Sequence, residues 1–467
     1  MPRLPHILCL AGACGLWSCS KGTDSAAAQP ADAAAATAQT TEAAAANAAT
    51  GAPQVETNAA GQKVARVTPE QASQIADRLI AAGNYSKALP LLTQIINANP
   101  KDASAYVKRA AILAENKLLT QAVADMSRAI ALEPDNARHH NTRGYFLLSQ
   151  QNLDAALQDF NDAIGLDVNF AQPHNNRGLV RIAKGELEKA VKDFEEALKV
   201  DAKYLDAHNN LGYALMRLDR HDEAIASFSN AIEIDPKYVN AWNNRAQARL
   251  KADRAEDALT DFTEAIRLAP GNSSYYLGRA DAYEKLGRAE ESQQDRDHIA
   301  WMQELAGLTQ QALQSPKVAG HWVARGRHLL RRNEAQAAVA DFGRALQLAP
   351  ESIDARCGHA AALLLLGKLD EAIADCNIAL SKDAHPLALS LRGDAYFARG
   401  ELDYAIEDYA TAKRMDRQVA RAYLKRSEIR KADGDTQNAE ADYQHALELD
   451  PSLGTIQQAS AEQPATN

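Results

Sequence analysis

At 467 residues the chain is too long for one ordinary core, which stops growing well before that size, and this leaves several domains or an array extended along one axis. Its 51 basic and 61 acidic residues give a net charge of −10 with no long lysine and arginine block, which argues against general nucleic-acid binding. Aromatic residues are 6% of the total, alanine is abundant and strand-like alternation is rare, so the chain reads as all-α with closely packed helices.

Residues 1–18 read as a signal peptide. Arg3 precedes a mainly apolar run from Ile7 to Trp17, too short to span a bilayer but suited to a signal core. Leu16, Trp17, Ser18 and Cys19 then resemble a bacterial lipobox, which implies lipidation of Cys19. Trp17 departs from that pattern, and Ala11 with Ala13 offers an ordinary cleavage site instead. If the resemblance to envelope lipoproteins holds, Ser20 after the cysteine implies sorting to the outer membrane, facing the periplasm. Residues 19–67 are rich in alanine, threonine, glutamine and asparagine with almost nothing to form a core, and read as a disordered tether. As a flexible coil it would hold the body about 35–40 Å from its anchor.

From residue 69 to residue 451 a 34-residue unit recurs. Ala156, Phe160 and Ala163 return as Ala190, Phe194 and Ala197, as Ala224, Phe228 and Ala231, as Ala258, Phe262 and Ala265, and as Ala338, Phe342 and Ala345. Tyrosine replaces the ring at Tyr409 and Tyr443. With the closing proline at position 32 (Pro100, Pro134, Pro236, Pro270, Pro350, Pro451), units begin near 69, 103, 137, 171, 205, 239, 273, 319, 353, 386 and 420. Position 8 is small, as at Gly144, Gly178, Gly212, Ala246, Gly326 and Gly393, and position 20 is usually alanine, so two helices per unit can approach closely. This pattern resembles the tetratricopeptide repeat over some 380 residues. The resemblance implies an all-α, right-handed superhelical solenoid of about eleven helix hairpins: a first sub-array over 68–306, a junction over 307–318, a second sub-array over 319–452 and a disordered tail over 453–467.

Arginine at position 7 accompanies aspartate at position 23 in Arg109 and Asp125, Arg143 and Asp159, Arg177 and Asp193, Arg245 and Asp261, Arg279 and Asp295, Arg325 and Asp341, Arg392 and Asp408, and Arg426 and Asp442. Where position 7 is Leu211 or Ile75 the acid is also gone, which predicts a structural ion pair within each unit. Unit seven departs from the pattern at Ser292 and Arg296. There Ile299, Met302, Leu305 and Leu308 keep helical spacing, predicting a long helix that ends near Gly307 and a short segment to Pro316. Cys357 and Cys376 fall in one unit and read either as two small buried residues or as a bridge, which needs Cα atoms within about 7 Å.

His140, His174 and His208 share position 4, but equivalent helices about 8–10 Å apart cannot bring three nitrogens to one metal, and Trp242 and Trp322 hold the same position. No metal and no cofactor is expected, and no nucleophile elbow, phosphate loop or H-E-x-x-H motif suggests an enzyme. The stronger functional signal is asparagine. Asn141, Asn175, Asn209 and Asn243 take position 5, and Asn176, Asn210 and Asn244 take position 6. In a tetratricopeptide array the face of positions 2, 6, 9 and 13 lines the concave groove, and the pattern resembles the asparagine ladder of the O-linked N-acetylglucosamine transferase repeats. A carboxamide both donates and accepts, so such a ladder can hold an extended peptide by its backbone, with Tyr145, Tyr213 and Gln247 at position 9 adding contacts. Interhelical hydrogen bonding is the competing reading. The expected function is a non-enzymatic scaffold or adaptor of the bacterial envelope that binds protein or peptide partners and meets the membrane through its lipid anchor. The alternative is a structural protein forming homo-oligomers through its solenoid ends.

Overall fold

The computed structural model describes residues 54–57, 63–66, 68–381 and 383–453. The signal peptide, Cys19, the rival cleavage site and nearly all of the expected tail lie outside them. A short antiparallel hairpin of β1 (Gln54–Thr57) and β2 (Lys63–Arg66) precedes the array, with Gln54 opposite Arg66 and Thr57 opposite Lys63. It corrects the reading of this stretch as wholly unstructured tether. The Gln-Val-Glu-Thr and Lys-Val-Ala-Arg segments that pair are only four residues each, too short to stand out as alternation against the alanine-rich background.

Twenty-two helices follow among the described residues, two to a unit. Unit one pairs α1 (Pro69–Ala81) with α2 (Tyr85–Ala98), and unit two pairs α3 (Ala103–Glu115) with α4 (Leu119–Leu132). Units three and four are α5 (Ala137–Ser149) with α6 (Leu153–Leu166), and α7 (Ala171–Ala183) with α8 (Leu187–Val200). Units five and six are α9 (Leu205–Arg217) with α10 (His221–Ile234), and α11 (Val239–Lys251) with α12 (Ala255–Leu268). Unit seven joins α13 (Ser273–Lys285) to the long α14 (Ala289–Gln314). Units eight and nine are α15 (Ala319–Leu330) with α16 (Ala335–Leu348), and α17 (Ile353–Leu365) with α18 (Leu369–Ala379). Units ten and eleven are α19 (Pro386–Arg399) with α20 (Leu402–Thr411), and α21 (Arg417–Ala432) with α22 (Thr436–Leu449). The chain divides into two compact bodies between Asp295 and Arg296, within α14.

Local chemistry sets these boundaries. Thr68 opens α1 with a capping box, its hydroxyl accepting from the Gln71 amide while the Gln71 side chain accepts from the Thr68 amide. Asp102, Asn136, Ser352 and Asp416 cap later first helices through their side chains. The turn inside each unit places position 15 in the left-handed region in all eleven units. Glycine serves in six, and Lys117, Gln151, Asp219, Asp253 and Asn333 serve in the others. A side chain there costs about 1–2 kcal/mol, so packing of the two helices, not turn propensity, holds those five hairpins closed.

That packing is a ring against a gap. Phe160, Phe194, Phe228, Phe342 and Tyr409 are wholly buried, and a Cβ built on the facing Gly144, Gly178, Gly212, Gly326 or Gly393 would come within 2.5–2.9 Å of the ring. Position 8 is small because the aromatic residue sixteen positions later fills its place. The expected helix end near Gly307 is corrected, since α14 runs on to Gln314. One exposed glycine costs a helix about 1 kcal/mol. Against that, Trp301 and Leu305 pack on Val323 and Leu329, the Trp301 indole donates to the His328 carbonyl, and His328 Nε2 lies 2.9 Å from the Trp301 carbonyl.

Cys357 and Cys376 are both free and buried among alanine and leucine, and burial pushes the thiols up to about 11 and about 12. They behave as small apolar residues, as one of the two sequence readings has it.

Candidate functional site

The eight Arg–Asp pairs all form, each guanidinium forking onto its aspartate. Arg245 is representative, with Nε 2.9 Å from Asp261 Oδ2 and Nη2 2.8 Å from Oδ1. Six other pairs close in the same way, and in the Arg177 pair Nε and Nη2 both meet Asp193 Oδ1. The third corner of the guanidinium is used as well. Nη1 of Arg109, Arg143, Arg177, Arg245 and Arg279 donates to Thr93, Ser127, Asn161, Ser229 and Thr263, each at position 25 of the preceding unit. One arginine therefore ties its own two helices together and binds its unit to the one before. The signal was available as a small polar residue sixteen positions before each of these arginines.

Position 4 makes a second link between units. His140 Nε2 lies 3.1 Å from the Pro134 carbonyl and His208 Nε2 3.0 Å from that of Ala202, while Trp242 and Trp322 donate to Pro236 and Pro316. His174 bonds the Val168 carbonyl in the same way, and burial together with nearby Arg177 holds its imidazole below the ordinary value. Histidine and tryptophan interchange here because each carries a ring N–H at the right reach for the closing carbonyl of the previous unit, which the helix leaves unpaired. A metal ladder across the three histidines is not what their Nε2 atoms serve.

The asparagines form a ladder, but an internal one. Asn176 donates to Asn141 at 3.0 Å, Asn210 to Asn175 at 2.9 Å and Asn244 to Asn209 at 3.0 Å, so each position 6 reaches back to position 5 of the preceding unit. Asn141, Asn175, Asn176, Asn209 and Asn244 are between 2% and 7% exposed. This corrects the expectation that all seven present their carboxamides to a bound chain: five are buried and spent on one another. First helices of successive units, α5, α7, α9, α11 and α13, touch one another, which brings the two positions within reach. The ladder stops at Asn243, whose carboxamide oxygen is buried without a partner, because position 6 of unit seven is Gly278. No larger residue fits there, since a Cβ on Gly278 would lie 2.4 Å from the ring of Phe262.

Asn176→Ala should cost about 1–3 kcal/mol, because it strands the buried Asn141 oxygen. Asn244→Ala should match it through Asn209, and a shift of the urea midpoint reads both. A midpoint unchanged in both variants would show that the ladder contributes nothing to stability.

The other expected site residues sit at the rim of the ladder. Tyr145, Tyr213, Asn210 and Asn243 are half-buried and Gln247 is exposed, with Arg217 donating to the Tyr213 hydroxyl at 3.3 Å. The sequence reading missed an adjoining aromatic row at position 34. Arg138 lies over Phe170, the Tyr238 hydroxyl donates to Asp206 at 3.3 Å, and burial raises both the Asp206 carboxyl and the Tyr204 phenol from their ordinary values. No helix among the described residues is long and apolar enough to cross a membrane.

Family models described as tetratricopeptide repeat match residues 79–144, 175–239, 227–260, 323–388 and 420–453, together more than half of the chain. No curated protein matches. Among solved structures, Pseudomonas aeruginosa pilF is 19% identical with a TM-score of 0.41, covering 46% of this chain and 97% of its own. A tetratricopeptide repeat protein from Parabacteroides merdae is 20% identical with a TM-score of 0.36, covering 56% of this chain and 98% of its own. YrrB, described as a tetratricopeptide repeat protein with an unusual peptide-binding site, is 22% identical with a TM-score of 0.33, covering 38% and 92%.

Proposed function

Because the chain belongs to the tetratricopeptide repeat family, we propose that it is a non-enzymatic scaffold or adaptor of the bacterial cell envelope, anchored through a lipid on Cys19 and docking an extended partner along the first helices of units three to six. The asparagine ladder supports this reading in a changed role. By bonding each first helix to the one before, it sets a constant spacing for the side chains at its rim. A face already ordered binds an extended chain without the ordering cost that weakens flexible surfaces. Tyr145, Tyr213 and Gln247 then offer two phenol rings and one carboxamide at one-unit or two-unit intervals, with Asn210 and Asn243 beside them.

Crosslinked co-purification from membranes tests the reading. The triple variant Tyr145→Ala, Tyr213→Ala and Gln247→Ala should lose tenfold or more of the captured partner, on the order of 1.4 kcal/mol, with helicity retained at the assay temperature although the thermal midpoint falls, because both tyrosines pack on core residues. In the same cells fatty-acid label should disappear with Cys19→Ala. Undiminished capture returns the rim to surface decoration, and label that survives Cys19→Ala ends the anchor.

A further inference from the structure

The position-4 histidines differ in what faces their second nitrogen. With Nε2 bonded to a carbonyl the ring carries its proton there, so Nδ1 is a bare lone pair. In His140 this atom is buried and has no partner, and His140 is only 9% exposed. It points between two carboxylates, 3.7 Å from Asp159 Oδ1 and 3.9 Å from Asp162 Oδ2, and one atom from each of the three groups lies within 4.8 Å of the other two.

We propose that His140, Asp159 and Asp162 form a site for a divalent transition-metal ion of the zinc type, inside unit three. Tetrahedral bonds of about 2.0–2.1 Å set ligand atoms roughly 3.3–3.5 Å apart, a few tenths closer than the two distances from His140 Nδ1; rotation of the part-exposed Asp162 closes its own gap, and a small shift of the His140 ring toward Asp159 closes the other. One imidazole nitrogen and two carboxylate oxygens suit zinc, nickel or cobalt better than calcium or magnesium, which favour oxygen alone. His140 and Asp162 are steadied through their other atoms, as bound-metal ligands are, while Asp159 is held by Arg143 at both oxygens, the one facing His140 included. His140 holds the Pro134 carbonyl, Asp159 accepts from Arg143 at 2.6 and 2.8 Å, and Asp162 Oδ1 accepts from Gln158 at 2.8 Å. Asp162 is 38% exposed along its side chain, so solvent can fill the fourth position. Two aspartates against Arg143 leave one negative charge to meet the ion.

The neighbouring units supply controls. In unit four the equivalents of the two acids are Asp193, shared by Arg177 and Arg181, and Glu196, taken by Lys199 at 2.7 Å. In unit five they are Ser227 and Asn230, so His208 has no acid at either equivalent position. Of these three units, unit three alone combines the bare nitrogen with two acids of which one is not held by a cation.

Calorimetric titration of zinc chloride into the metal-free full chain tests the site. One micromolar-class site is expected. His140→Trp keeps the donor to Pro134, as Trp242 and Trp322 do at their carbonyls, and should weaken zinc at least tenfold. Asp162→Asn should do the same, while His174→Trp should leave binding intact. No micromolar binding in the wild-type chain, or equal affinity in His140→Trp and Asp162→Asn, overturns the site. So does loss in His174→Trp instead. Should His140→Trp lose helicity by circular dichroism, Asp162→Asn decides alone, because its side chain is part-exposed and its amide oxygen still accepts from Gln158.

Discussion

Asp261→Ala is expected to lower the unfolding free energy of its stretch of the array by about 3–5 kcal/mol, read as a lower urea midpoint. Asp261 is wholly buried, accepts from Arg245 at 2.8 and 2.9 Å and forms an ion pair with Arg249 at 2.7 Å. Removing it leaves the Arg245 guanidinium, 13% exposed, without a counter-charge, and an unpaired buried charge costs more than the pair ever contributed. Unit five shows how the chain dispenses with the pair, holding Leu211 and Ser227 at the same two positions. Arg245→Leu combined with Asp261→Ser should therefore recover most of the loss. Recovery stays incomplete, since Arg249 also loses its acid and the Ser229 hydroxyl loses its donor. A single variant costing under about 1 kcal/mol would falsify the buried-pair account.

Phe342→Ala should cost about 3–5 kcal/mol, toward the upper end of the range for such truncations. The Phe342 ring is wholly buried between glycines of consecutive units, 2.9 Å from where a Cβ would stand on Gly326 and 2.3 Å from one on Gly358. Glycines have no side chains to swing into the cavity, so the site cannot collapse around it. The converse substitution separates packing from propensity. Gly358→Ala gains about 1 kcal/mol of helix propensity, yet the new methyl meets a ring already pinned on its far side, and overpacking of about 1–3 kcal/mol should outweigh the gain. Gly358→Ala should regain stability when Phe342→Leu is added. Thermal midpoints check both, and a stabilised Gly358→Ala single variant would mean that the ring moves freely.

Both predictions use residues whose pairing is legible in the repeat pattern. The ring at position 24, the small residue at position 8 and the arginine and aspartate at positions 7 and 23 recur so often that their partnership follows from the period alone. Those pairings lie within one hairpin, where a short turn and two helices leave little choice of geometry; the contacts of Phe342 with Gly358 and of Arg245 with Ser229 cross to a neighbouring unit. Of the eleven left-handed turns at position 15, glycine marks six, and the five that carry a side chain show only in the structure.

Contacts between units were harder to read, and the candidate site depends on them. Asn176 and Asn141 stand 35 residues apart, and the Arg143 fork reaches Ser127 across a unit boundary. A repeat of identical spacing is compatible with asparagines turned toward a bound chain or toward each other. The choice is set by the small rotation and shift from one unit to the next, which the period does not contain. The same rotation lets a ring N–H at position 4 meet the previous unit's last carbonyl and leaves His140 Nδ1 facing Asp159 and Asp162. Periodicity thus determined the helices, their pairing and the buried charges within each unit, because those interactions are local in the chain. The stacking of one unit on the next decided which polar groups are consumed inside the array and which remain at its surface.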